Sequence, residues 1–255
     1  MEKQVSFFLN IYGTEIPVRL EQSGRYRRCS MKVTETGVRI TVPRGYSEQK
    51  WRSFMETHSQ WIYRAYQKNI RQSESIPSLS EGAEIPYKGQ FYRFTTSEKD
   101  ELCFSDGLLH VPAAMISRGE GFLQTQLAAF YMKEAEKLLY KYGEKWHSEL
   151  AGKIKNLKLK EMKSRWGSCT AGSIALNWRL IMADETIFEY VFVHEICHIE
   201  VKSHCNNFWM LVESTLPGAA QYRKKLRKES HLLMNFPFPA VRPATLSVFS
   251  VKKTV

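Results

Sequence analysis

The chain has 255 residues, 37 of them Lys or Arg against 26 Asp or Glu, a net charge of +11, and 43% hydrophobic content. That composition fits a globular protein with a full core and excludes a fibrous or disordered one. The longest apolar runs, such as Tyr190 to Val193, fall far short of the roughly eighteen residues a membrane span needs, so no span is expected.

The five cysteines are an odd number and include no CxxC pair. They argue against a disulfide framework and for a reducing, cytoplasmic compartment. The N-terminus has a short apolar stretch without a small-residue cleavage site, which argues against a signal peptide.

In chain order, Phe7, Leu9 and Ile11 alternate, Gly13-Thr14 offers a turn, and Ile16, Val18 and Leu20 resume the period of two. A second pair of strands is expected at Cys29 to Val33 and at Val38, Ile40 and Val42, joined by a turn at Glu35 to Gly37. Ser47 is a good N-cap, and Trp51, Phe54, Met55, His58, Trp61, Ile62 and Ala65 then fall on one face of a single long helix. The Ser-rich stretch 72–82 reads as a loop or linker. Short strands follow at 87–94, 101–104 and 108–111, with Gly89 and Asp106-Gly107 as turn signals.

Helical spacing dominates from Phe122 to Trp146. Residues 153–165 then read as a basic strand, in which Leu157 and Leu159 alternate with lysines. Further helices are expected at 184–198, 208–216 and 221–233. The last stretch, with Pro237, Pro239 and Pro243, reads as an extended tail. No internal repeat suggests a solenoid. The expected fold class is α+β: a β-rich part with one long helix over 1–115, a helical and sheet domain over 116–233, and a tail over 234–255.

One constellation stands out, His194-Glu-Ile-Cys-His198. Histidines four apart on a helix are about 400° round, so both imidazoles leave nearly one face and can share a metal, with Glu195 about 100° away. Given the composition, chance would supply roughly 0.02 such HExxH patterns in a chain of this length, so a metal site is the expectation. Zn²⁺ with three protein ligands keeps one position open for a water, lowers its pKa, and leaves a carboxylate to take the proton.

The third ligand must come from elsewhere. His204 gives HExxHx₅H, but a continued helix would rotate it about 240° from His198. The helix must therefore end near Glu200 for His204 to turn back. The spacing matches that of metzincins, yet Val201 stands where their turn glycine would be. Cys205 and Glu213 compete as third ligands. For Cys197 and Cys205 the ordinary reading is a small buried hydrophobe.

The blocks Arg165-Trp-Gly-Ser-Cys169, Ile174 to Leu180 and His194 to Trp209, with Arg28 to Gly45 upstream, resemble the YgjP-like metallopeptidase domain family, which is related to the WLM and SprT-like zincins. The resemblance spans about residues 20–230. It implies a zincin-like hydrolase with an HExxH active-site helix, with His194, His198 and His204 as zinc ligands and Glu195 as the catalytic acid/base. Gly167-Ser-Cys169 reads as a bulge beside the metal helix or as an edge strand that pairs an extended substrate. In the second case Arg165 or Asn177 would polarise a carbonyl or bind a phosphate oxygen.

The leading functional expectation is thus a zinc metallopeptidase acting on a peptide or protein. Phosphoanhydride cleavage in a nucleotide is the alternative, weakened by a chain with only three Asp and no acidic cluster for a Mg²⁺-nucleotide. The charge divides as +6 over 1–80, −3 over 81–150 and +8 over 151–255. The basic runs 153–165 and 223–228 motivate a third reading, a nucleic-acid-associated protease with a weak polyanion-binding surface, although no nucleic-acid-binding signature accompanies them.

Overall fold

The computed structural model describes residues 3–74, 78–147 and 154–238. The chain forms two compact units, Met1–Ile76 and Pro77–Val255. The sequence reading puts its boundary at 115/116. The strands after residue 83 share one apolar core with the long helix that follows them: Ile85, Tyr87, Phe94 and Leu109 pack with Leu127 and Tyr131.

In the first unit, β1 (Lys3–Ile11), β2 (Thr14–Ser23), β3 (Ser30–Thr34) and β4 (Gly37–Pro43) form a sheet of order β1-β2-β4-β3. Two antiparallel hairpins meet in a parallel β2/β4 pair. Period-two apolar residues fill one face, where Ile16, Val18, Leu20, Val38 and Ile40 bury against Trp51, Met55 and Ile62. The single helix expected here is two, α1 (Glu48–Thr57) and α2 (Ser59–Glu74). The break is local chemistry. A ring nitrogen of His58 lies 2.7 Å from the Phe54 carbonyl and the Thr57 hydroxyl donates to the Ser53 carbonyl at 2.8 Å, so side chains engage carbonyls that a continuous helix gives to N–H groups.

The second unit opens with the same strand arrangement. β5 (Glu84–Tyr87), β6 (Gln90–Ser97), β7 (Cys103–Ser105) and β8 (Leu108–Pro112) run in the order β5-β6-β8-β7, again with a parallel central pair. The single strand expected over 87–94 is a hairpin, because Lys88 and Gly89 both take positive φ, 48° and 78°, the conformation of a tight two-residue turn. After α3 (Ala113–Ile116), α4 (Glu120–His147) lays Leu127, Tyr131, Leu138 and Tyr142 into the core.

A third sheet follows, built from β9 (Asn156–Lys160), β10 (Gly167–Thr170) and β11 (Ser173–Asn177) in the order β10-β11-β9. Of the basic strand expected over 153–165, only the β9 stretch pairs, and Lys153 lies outside the described residues. A 3₁₀ turn (Trp178–Met182) leads into α5 (Glu185–Glu200), α6 (Asn206–Thr215) and α7 (Ala219–Asn235). The fold among the described residues is therefore mixed α/β, with three small sheets and seven α-helices. None of these helices is long and apolar enough to cross a membrane.

Most of the expected tail, residues 239–255, lies outside the described residues. Its start is not extended into solvent: Phe236 and Phe238 are buried, and the Phe238 ring lies 5.2 Å from both Trp178 and Tyr131.

Candidate metal centre

α5 carries His194, Glu195 and His198, and its ends are fixed by particular contacts. Asp184 caps the N-terminus by accepting from the Thr186 backbone N–H at 2.9 Å and from its hydroxyl at 2.7 Å. The helix stops after Glu200, where Val201 is extended at φ −120°, ψ 107°. That turn folds the chain back, and it also gives His198 a partner: a ring nitrogen, Nδ1, lies 3.0 Å from the Val201 carbonyl.

The turn returns His204 to the helix face. Its Nε2 lies 3.1 Å from that of His198 and 3.0 Å from that of His194. These three form the group of side chains, among the described residues, that could hold a metal ion, with ligand atoms all within 4.8 Å of one another. Two imidazoles on one tetrahedral zinc stand about 3.3 Å apart, so the cluster is close to that spacing before any ion is considered. Its protonation also suits a metal. Burial first, then the neighbouring imidazoles and Arg223, push His194 down to about 3. Burial, His198 and Arg223 lower His204 as well. The lowered values favour the neutral forms of His194 and His204, and imidazoles that converge on one point are a donor set for a cation.

Aromatic residues hold the rings. Phe208, fully buried at the start of α6, lies under all three, with centroids 4.4 Å from His198 and 4.9 Å from each of the other two. Trp209 stacks on His204 at 5.5 Å and donates its indole N–H to the His204 carbonyl at 3.1 Å.

Glu195 is 5% exposed, and burial pushes its carboxyl up to about 7 against the opposing pull of Arg165. Its place depends on Gly167. A Cβ on that glycine would come within 2.4 Å of Glu195 Oε1. β10, the edge strand of its sheet, thus passes directly beside the carboxylate. The two lie in one cleft of about 510 Å³ with Arg165, Tyr190, Lys202 and the three histidines.

The competing ligands sit elsewhere. Cys205 is the exposed residue preceding α6. Glu213 accepts from the backbone N–H groups of Gly218 at 2.7 Å and Ala220 at 3.1 Å, so its carboxylate serves the positive N-terminal end of α7.

Arg165 lines the cleft, whereas Asn177, expected beside it as a substrate contact, does not. Asn177 is fully buried; its amide donates to the Met162 carbonyl at 2.9 Å and the Arg165 carbonyl at 3.4 Å, and accepts from the Arg179 N–H at 3.2 Å. It shapes the loop that presents Arg165 and has no group left for a ligand.

The sequence alone gives Tyr190, Phe208 and Trp209 no role, reads Gly167 only as part of a bulge or edge strand, and reads Arg223 only as part of a basic run. Tyr190 alone carried a usable signal, since it stands one turn before His194 on the same helix face. Phe208 and Trp209 reach His204 across a short local turn, whereas Gly167 and Arg223 come to the site only through tertiary folding.

A family model described as YgjP-like, metallopeptidase domain, matches residues 27–229, most of the chain and all of the residues above. No curated protein matches it.

Proposed function

Because the chain belongs to the YgjP-like metallopeptidase domain family, we propose that it is a zinc-dependent metallopeptidase in which His194, His198 and His204 hold the metal. Glu195 is its general base and acid. The observation that carries this reading is the convergence of three imidazoles within 4.8 Å beside a buried carboxyl raised to about 7.

When bound, zinc supplies Lewis acidity that lowers the pKa of a water and polarises a substrate carbonyl. The protein's own groups do the rest. A proton on His198 Nδ1, donated to Val201, leaves the Nε2 lone pair facing the centre. Glu195, near neutrality in its pKa, can take a proton from the attacking water and return it to the leaving amine. The outer edge of β10 offers backbone groups to an extended peptide beside Glu195. Arg165 stands where it can stabilise negative charge developing on the substrate oxygen.

One observation favours a second reading, hydrolysis of a nucleotide phosphoanhydride: Arg165 and Lys202 both line the cleft. Glu195 is the acidic residue on that wall, so the cleft offers no second carboxylate for a Mg²⁺-nucleotide, and we rank this reading below the first. Exposed Arg223, Lys224, Arg227 and Lys228 on α7 are the charge that a nucleic-acid-associated protease would use.

The test compares zinc-loaded wild type with Glu195→Gln on a peptide library and on nucleoside triphosphates. The proposal predicts that the variant keeps its metal and loses peptide cleavage by about 10²–10⁴-fold. Loss of triphosphate cleavage alone would transfer the site to the second reading, and unchanged hydrolysis of both would defeat the enzyme assignment.

A further inference from the structure

Three cations from three different segments converge on this cleft: Arg165 ahead of β10, Lys202 after α5, and Arg223 on α7. Arg165 and Lys202 line it directly. The Arg223 guanidinium lies 3.9 Å over the Trp209 ring, which is itself stacked on His204.

Among the described residues none of the three forms an ion pair, and Glu195 is the carboxylate that acts on Arg165. Some lysines elsewhere in the same unit are paired, such as Lys145 with Glu189 at 2.6 Å and Lys225 with Asp184 at 3.3 Å. Lys202 instead donates to the His198 carbonyl at 2.8 Å, and Glu195 is the cleft's acidic residue. Unpaired like charges around a concave, partly apolar wall repel one another and raise the local concentration of anions. Planar Arg223, seated over an indole, can make two-pronged contact with a carboxylate or phosphate.

We propose that the cleft selects peptides carrying an anionic group, a carboxylate or a phosphate, within a residue or so of the scissile bond, and that Arg223 with Lys202 and Arg165 forms the subsite for it. The scissile bond rests on the metallopeptidase reading, whereas the anion subsite is testable by binding alone.

The experiment uses zinc-loaded Glu195→Gln protein and fluorescent peptides that differ at one position, Glu, phosphoserine, Gln or Lys. The Glu and phosphoserine peptides are expected to bind about tenfold or more tightly than the Gln peptide, as charge-assisted hydrogen bonds provide. The Lys peptide should bind least well, and the differences should shrink as salt screens the charges. Adding Arg223→Glu, a change on an exposed helix face, should reverse the order of the Glu and Lys peptides. Tighter binding of only one of the two anionic peptides identifies the anion. Equal affinities across the set, or no peptide binding at all, would overturn the proposal. Retained discrimination in a wild-type protein that cleaves no peptide would remove the peptidase reading and leave the anion subsite standing.

Discussion

At the scale of single residues, the decisive ones owe their roles to what they touch. Gly167 was visible in the sequence only as part of a short motif, because its contact with Glu195 joins a strand to a helix and no spacing rule spans them. A Cβ at 2.4 Å from Oε1 leaves the carboxylate no option but to move. Gly167→Ala should therefore lower hydrolysis by about 10²-fold, as misplacement of a catalytic group by about an ångström does, with metal content and far-UV dichroism unchanged. Full activity in that variant would mean that Glu195 does not need its observed position. Asn177 teaches the converse. Its polar side chain beside Arg165 invited a binding role, but a residue's burial cannot be read from its type, and its amide belongs to the loop.

At the scale of elements, helices were the legible part. α4 and α5 show an apolar stripe long enough to fix both type and approximate limits, and Asp184 with Thr186 marks the start of α5 correctly. The short pieces were less legible. β10 has four residues, none of them fully buried, so neither period nor hydrophobicity chose between the bulge and the edge strand that it forms. The break at His58 and the hairpin at Lys88-Gly89 depend on hydrogen bonds and on φ values that periodicity does not report. The Asp184 cap carries a pH signature. Hydrogen bonding by the Thr186 hydroxyl first, opposed by burial and reinforced by the Thr186 N–H and Lys225, holds its carboxyl below the ordinary 3.8. A lowered folded pKa gives stability that is present above the unfolded value and lost as pH falls through the folded one. Asp184→Ala should thus cost about 1 kcal/mol in denaturant unfolding at neutral pH, and the difference from wild type should fade as pH falls below the ordinary 3.8. A difference independent of pH would show that the charged cap is not what is lost.

At the scale of the whole molecule, the boundary and the repeated sheet order were hidden for one reason. Both four-stranded sheets run hairpin, parallel pair, hairpin, but the pairing that creates the likeness lies in register and not in residue identity. The positive charge, by contrast, was plain in the sequence while its meaning was not: part of it rings the candidate metal centre. Zinc binding should therefore act locally. Hydrogen exchange with and without zinc should show added protection around residues 194–209 and none in residues 3–74, and equal protection of both units would contradict a site confined to the second. The central claim, that three imidazoles from α5 and the turn after it form one metal site, is tested most directly by metal stoichiometry and affinity in wild type and His204→Ala. The account predicts one zinc per wild-type chain and an affinity weakened at least about 100-fold in the variant, since removing a ligand should cost no less than removing its outer support. Zinc bound with equal affinity by both proteins would contradict it.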